Sequence, residues 1–352
     1  MKKVRVGIIG VGSIANNQHI PELLKIPECE ITAICDTDPK ALKTTAEKLG
    51  IDSKYCFEDY KELIKCEAVD AVEICTPNYL HVPMAVYAVE NGKPINVEKP
   101  ISINYESAIP LKEALEKNNI SNMMCFSYRF FPAVRFAKYI MEKGLLGDIV
   151  SVNVEYLKSS AFMEGRRLDW RFVKKYAGTG VLGDLGVHLI DMTEFLVGRI
   201  KEVSAVADTV VKQRLKLDCD ELADVETDDY CNFLANLDNN AVGTFSITRC
   251  AIGNVNTIKY DIYGTQGVIS FNLNNPDTIS VCIGEIDKKA DGLHKLNVPR
   301  EFKITQEQMF IDMVNNKKCE YLPTVNDGLR CQTILDCLLR SVEEKRWVET
   351  NY

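Results

Sequence analysis

The chain has 352 residues, more than one ordinary core accommodates and enough for two domains. Hydrophobic residues are 46% and charged residues 26%, the balance of a soluble globular protein. The net charge of -8, with no basic cluster, argues against nucleic acid and acidic membrane as partners. No apolar stretch approaches the roughly 18 residues of a membrane span. The opening "MKKVRVGIIGVG" is basic and then apolar, like a signal peptide, but its apolar run is too short for one. Thirteen cysteines are scattered, odd in number and without a CxxC pair. They read as reduced thiols filling a core, with no clustered zinc ligands, and they point to a cytoplasmic protein.

Over the first 120 or so residues strands and helices alternate. Strand-like runs are Val4–Gly10, Glu30–Asp36, Asp70–Pro77, Pro94–Lys99 and Asn122–Phe130. Helical stretches lie between them, in "PKALKTTAEKLG", "HVPMAVYAVENG" and "YESAIPLKEALEKN", and Gly50 and Gly92 are placed to end two of them. This alternation predicts a doubly wound parallel sheet with right-handed crossovers. After about Gly147 the pattern changes. "GDIVSVNVEYLKSS", "VETDDYCNFLANL", "NAVGTFSITRC" and "NTIKYDIYGTQGVISFNL" read as long strands joined by tight turns at Asp238-Asn239-Asn240 and Gly264-Thr265-Gln266-Gly267. Two helices, "QEQMFIDMVNN" and "VNDGLRCQTILDCLLRSVEE", close the chain. The expected fold class is α/β: a domain over residues 1–122, then a second over 123–352 with a large, mostly antiparallel open sheet. With few crossovers, one face of that sheet stays uncovered and favours self-association.

"GIIGVGSIANN" sets Gly10, Gly12 and Ala15 as GxGxxA directly after a strand, with Asp36 ending the next strand. Gly10 permits the tight turn, Gly12 lets backbone approach a pyrophosphate, and Ala15 allows close helix–strand packing. Free N–H groups of the helix start, at Ser13 and Ile14, face the anion. Asp36 should bond the adenosine ribose hydroxyls and repel a 2′-phosphate, which favours NAD over NADP. "TPNYLH" brings Thr76, Pro77 and His81 to the carboxyl end of another strand, the edge where such sheets bind ligands. His81 is also readable as an ordinary helix-start residue. "NVEKPIS" puts Glu98 and Lys99 at the next strand end, where both are expected to bind the cofactor. Lys99 there faces the cofactor crevice and suits acid–base chemistry; from position alone, a surface lysine at a turn competes.

"GVLGDLGVHLID" places Asp184, His188 and Asp191 in an otherwise apolar stretch. At about 100° per residue these three share one stripe, and Leu185, Leu189, Met192 and Leu196 form another. The apolar stripe is expected to pack inward and the polar one to look into a cleft. Asp184 also suits a helix first turn, and Asp191 reads as a structural partner or surface acid. "MEGRRLDWRF", with Trp170 and Arg171, suits sugar recognition or a domain or subunit contact. Tyr128, Tyr156 and Arg249 are weaker pocket candidates.

Taken with "CDTDP", "YRF", "DWRF", "VETDDY" and "YGTQGVISF", these motifs run nearly the whole chain in an order that resembles the glucose–fructose oxidoreductase / inositol dehydrogenase / rhizopine-catabolism family (Gfo/Idh/MocA). The resemblance implies an N-terminal Rossmann domain and a C-terminal α/β domain whose open sheet often builds homodimers or homotetramers. It implies hydride transfer between NAD(P) and a hydroxyl carbon of a sugar, cyclitol or related polyol, and with Asp36 the expected reaction pairs NAD with a secondary hydroxyl of a sugar, cyclitol or glycoside. It assigns Lys99, Asp184 and His188 to catalysis and substrate binding, with Arg129, Trp170 and Arg171 beside cofactor or substrate. A histidine titrating near neutrality can take the hydroxyl proton, Lys99 can bond the same oxygen, and Asp184 can hold a neighbouring hydroxyl and tune His188. Two other outcomes share the fold: an NAD-assisted glycoside-cleaving enzyme and a non-catalytic dinucleotide-binding regulator.

Overall fold

The computed structural model describes residues 3–287, 289 and 292–351. The chain packs as two compact units, residues 1–126 with 305–329 and residues 127–304 with 330–352. The first crossing lies close to the boundary expected at 122/123, but the segment 305–329 belongs to the first unit. The helix Gln306–Val314 therefore packs with the first unit, and the second division falls inside the long helix Val325–Glu344.

The first unit is built on six strands, β1 (Val4–Ile9), β2 (Cys29–Cys35), β3 (Cys56–Phe57), β4 (Ala71–Ile74), β5 (Ile95–Val97) and β6 (Asn122–Met124). They run parallel in the order β3-β2-β1-β4-β5-β6. This is the doubly wound dinucleotide-binding order, and its switch point falls between β1 and β4. Val6, Ile8, Ile34, Val72, Ile74, Ile95 and Val97 are fully buried, as strands covered on both faces require. The helix Pro39–Leu49 starts at Asp38, whose carboxylate accepts the Lys40 N–H, and stops at Gly50 in left-handed conformation. Two elements had no strong sequence signal, the two-residue β3 and the helix Tyr60–Lys65. The expected strand Asn122–Phe130 is shorter. The Phe126 N–H bonds back to the Met124 carbonyl, the ladder stops, and Ser127–Phe130 forms a 3-10 turn.

In the second unit, β7 (Ile149–Leu157), β8 (Ile200–Asp208), β11 (Tyr230–Leu237), β12 (Val242–Thr248), β13 (Thr257–Gly264), β14 (Gly267–Asn272), β15 (Thr278–Ile283), β16 (His294–Asn297) and β17 (Val348–Glu349) make a nine-stranded sheet. Its order is β16-β15-β14-β13-β7-β12-β11-β8-β17, antiparallel except for the β7–β12 pair. The short strands β9 (Gln213–Leu215) and β10 (Leu222–Asp224) pair separately. Alternation sorts the two faces. Val152, Val154, Tyr156, Phe233, Phe245, Ile258, Tyr260 and Ile262 are buried on one. Asn153, Val206, Asn232, Leu234 and Lys259 are exposed on the other, which carries a shallow depression of about 660 Å³. The uncovered, partly apolar face expected from the strand pattern is therefore present.

Candidate active site

In the first unit the chain after β1 turns at Gly10, with φ +88°. A Cβ there would lie 2.8 Å from the Cys75 carbonyl oxygen, so only glycine fits. A Cβ on Gly12 would meet nothing within 4 Å, which leaves the open backbone approach that a pyrophosphate needs. A π-helical stretch, Ala15–His19, opens the following helix, with Ser13 exposed and Ile14 half-buried at its start. Asp36 sits at the end of β2. Its carboxylate accepts the Val11 N–H at 2.8 Å and the Asp38 N–H at 2.9 Å. Each oxygen keeps further lone-pair capacity, so the turn positions Asp36 without using it up. This cradle fits a dinucleotide.

Thr76 and Pro77 are half-buried at the end of β4. His81 is fully buried. Its Nε2 lies 2.8 Å from the Thr76 carbonyl oxygen and its Nδ1 2.8 Å from that of Pro100. Burial pulls its pKa down, against these two carbonyls, which favour the proton. His81 thus braces two loops from behind. Glu98 is likewise turned inward. One oxygen lies 2.9 Å from His19 Nε2 and the other accepts the Lys99 N–H at 2.9 Å. Lys99 is half-buried, and the Lys99–Pro100 bond is cis. No clustered metal ligands were expected from the sequence, yet the fold gathers ligand atoms of His19, Glu73 and Cys125 within 4.8 Å of one another. All thirteen cysteines are free.

In the second unit, Asp184 lies in a π-helical stretch, Leu182–Gly186, that leads into the helix Val187–Leu196. Asp184 falls in the first turn of this stretch. N–H groups at its start are met by Asp228, whose carboxylate accepts from Gly180 at 2.6 Å and from Leu182 at 3.0 Å. Burial raises the Asp228 pKa, and these bonds oppose the rise. A Cβ on Gly180 would meet the Asp228 carbonyl oxygen at 1.9 Å, which explains that glycine. Asp184 is left half-buried.

The helix itself departs from the two-stripe expectation, because both His188 and Asp191 are buried along with its apolar residues. It packs against the sheet, where the Tyr260 hydroxyl donates to the Leu189 carbonyl at 2.7 Å, and against the helix Pro132–Glu142. The polar positions separate by partner. Asp191 is gripped bidentately by Arg129, from Nε at 2.8 Å and Nη2 at 2.6 Å. This gives Asp191 the structural role and engages Arg129, expected beside substrate, in a buried ion pair. The His188 ring stacks on Tyr128, with centroids 4.1 Å apart and planes 21° apart. The Tyr128 and Tyr156 hydroxyls share a hydrogen bond. Burial pushes the Tyr156 phenol far up, and the charges of Tyr128 and Asp184 add to the rise. Tyr128 and Tyr156, weak candidates from sequence, thus adjoin the Asp184–His188 segment.

Trp170 and Arg171 are half-buried on a 3-10 turn capped by Asp169, with the Arg171 guanidinium stacked 4.4 Å from the Trp170 ring. Arg249 is buried beside Phe172, which Arg166 and Arg214 also approach. His19 and Asp228 were missed. Asp228 lies within the VETDDY motif and His19 two residues past the GIIGVGSIANN motif, but only tertiary contacts reveal their partners.

A family model described as an oxidoreductase family with an NAD-binding Rossmann fold matches residues 4–125. The GFO/IDH/MocA C-terminal domain model matches residues 134–270. Levoglucosan dehydrogenase of Pseudarthrobacter phenanthrenivorans is 29% identical over 99% of this chain and 98% of its own length. Glucose-6-phosphate 3-dehydrogenase of Bacillus subtilis is 27% identical over 96% of this chain and 95% of its own. A solved structure of levoglucosan dehydrogenase with NADH and L-sorbose superposes with a TM-score of 0.92 at 29% identity, covering 100% of both chains. Among the described residues no helix is long and apolar enough to cross a membrane.

Proposed function

The chain belongs to the Gfo/Idh/MocA family of oxidoreductases with an NAD-binding Rossmann domain, and from that premise we propose an NAD-dependent dehydrogenase of a secondary hydroxyl on a cyclic sugar, cyclitol or glycoside. The observation that carries this reading is the end-to-end likeness to a dehydrogenase solved with NADH and a sugar. Gly10, Gly12, Ser13, Ile14, Asp36, Thr76 and Pro77 are the residues assigned to NAD, with His81 and Glu98 bracing the loops behind them. When bound, NAD supplies the hydride acceptor. His188 takes the proton of the reacting hydroxyl, Lys99 hydrogen-bonds that oxygen, and Asp184 accepts from a neighbouring hydroxyl. Trp170 and Arg171 offer a ring face and donors to a sugar. Asp36 disfavours a 2′-phosphate, so NAD is preferred to NADP. The open sheet face supports a homodimer or homotetramer, and the free thiols support a cytoplasmic setting.

The test is a screen of levoglucosan, glucose 6-phosphate, myo-inositol and simple glycosides with NAD and NADP separately. Reduced nicotinamide should accumulate with NAD and at least one of these. A glycoside cleaved without such accumulation would replace the reading with the NAD-assisted hydrolytic one. NAD binding with no turnover of any compound would leave a dinucleotide-binding regulator.

A further inference from the structure

The first unit buries an ionic cluster around His19, whose side chain is wholly inaccessible. Its Nε2 lies 2.9 Å from Glu98. Its Nδ1 lies 3.0 Å from Glu73 and 3.4 Å from Glu307. Glu73 also accepts from Asn96 at 2.8 Å and from the Cys125 thiol at 3.7 Å. Three carboxylates thus surround one imidazole in the core of a nucleotide-binding sheet, where burying charge costs several kcal/mol per ion. Ion pairing offsets part of that cost. Nε2 is within hydrogen-bond reach of Glu98, whereas Nδ1 faces Glu73 and Glu307 at ion-pair distance without hydrogen-bond geometry. Burial opposes the charge on His19, but Cys75 and Glu73 outweigh it and hold the pKa well above the usual imidazole value. Burial also pushes up Glu98, but its bond to His19 together with the charges of His19, Lys99 and His81 brings it below the ordinary value. Burial raises the Glu73 pKa, against its contact with His19.

The placement of this cluster matters more than its strength. His19 ends the π-helical stretch that follows the glycine turn. Glu98 immediately precedes Lys99 and accepts its backbone N–H through the oxygen not facing His19. Glu73 lies on β4, at the switch point of the sheet. One imidazole therefore links the element that receives the pyrophosphate, the central strand and the turn that carries Lys99.

We propose that His19 is a positioning residue that fixes the Lys99 turn through Glu98 and so sets the lysine relative to the dinucleotide cradle. This rests on the catalytic assignment of Lys99 above. His81 supports the same turn from its other side, through the Pro100 carbonyl. On this proposal the grouping of His19, Glu73 and Cys125 serves the Lys99 turn rather than a metal ion.

The test uses the full-length chain and the variants His19→Leu, His19→Gln, Glu98→Gln and Lys99→Ala. Hydrogen exchange of the segment 96–103, read by mass spectrometry, does not depend on activity. In His19→Leu the Lys99 amide should exchange about tenfold faster as its acceptor loosens. With whichever sugar passes the screen, kcat should fall on the order of 10- to 100-fold, as expected of a misplaced group, with KM for the sugar and Kd for NADH within about threefold. His19→Gln, which keeps a donor toward Glu98, should recover most of both losses. If His19→Leu does not accumulate folded, Glu98→Gln carries the same exchange and kcat readouts.

Unchanged exchange and unchanged kcat in these variants overturn the proposal. So does a loss of NADH affinity parallel to the loss of kcat, which marks a merely structural role. Stoichiometric zinc in the purified protein, removed by chelator together with activity, also overturns it. Full turnover by Lys99→Ala defeats the catalytic assignment of Lys99 instead, and the exchange readout still decides whether His19 fixes the turn.

Discussion

The surroundings of Lys99 and of His188 differ in kind. Lys99 is held through its backbone. Buried charges fix the carboxylate that accepts its N–H, and a buried imidazole contacts the carbonyl of the next residue. The His188 ring is stacked on Tyr128, and its helix is anchored three residues on by the Arg129–Asp191 pair. One region spends electrostatic energy to place a turn, and the other uses ring packing to orient a side chain. A lysine has a long flexible stem, so fixing its backbone is the main control available. An imidazole ring is oriented directly by the plane that it stacks on.

The comparison can be broken most sharply at the two residues themselves. If both handle the reacting proton or oxygen, Lys99→Ala and His188→Ala each lower kcat by about 10²- to 10⁴-fold in steady-state assays, with Kd for NADH little changed. If only one does so, the symmetry of the assignment fails. Next in size is Arg129→Ala. It removes the bidentate partner of the buried Asp191 carboxylate and should destabilise the second unit by about 3–5 kcal/mol in urea unfolding. A cost below about 1 kcal/mol would move Arg129 out of the structural role.

Tyr128→Leu removes the ring under His188. Aromatic pairs contribute about 0.5–1.5 kcal/mol beyond area burial, so kcat should fall up to about tenfold. Tyr128→Phe should keep most of the rate, because it retains the ring while losing the hydroxyl bond to Tyr156. The smallest effect concerns pH. Folded His19 holds its proton more tightly than an unfolded histidine. Its stabilisation is fully present below about pH 6.5 and is lost as pH rises through the folded-state pKa. The thermal midpoint should therefore drop by about 2–4 °C over that rise for each kcal/mol lost. His19→Gln should lack this component.

Much of the first unit was legible because its signals are local. Glycines at fixed spacing after an apolar strand, an acid at the next strand end and a lysine before a proline all lie within short windows. The carboxyl-edge placement of Asp36, Thr76 and Lys99 follows from strand direction alone. The Asp184–His188 helix was legible as a helix, but its faces were not. Helical periodicity assigns a stripe to a cleft only if the opposite side is the sole packed side, and here helix Val187–Leu196 is covered nearly all round. The π-helical stretch before it also departs from 100° per residue. The return of residues 305–329 to the first unit had no local signature, since a helix pattern does not state which core it joins.

The sequence by itself determined the two sheets, the dinucleotide cradle and the residue types available for proton handling, because these depend on periodicity, turn chemistry and motif spacing. Tertiary structure alone decided the partners. It gave Asp191 to Arg129 across 62 positions, Glu98 to His19 across 79, and the N–H groups at the start of the Asp184 segment to Asp228 across 46 to 48. A buried charge must find a partner wherever the fold brings one, and contacts across such separations leave no pattern in a single chain.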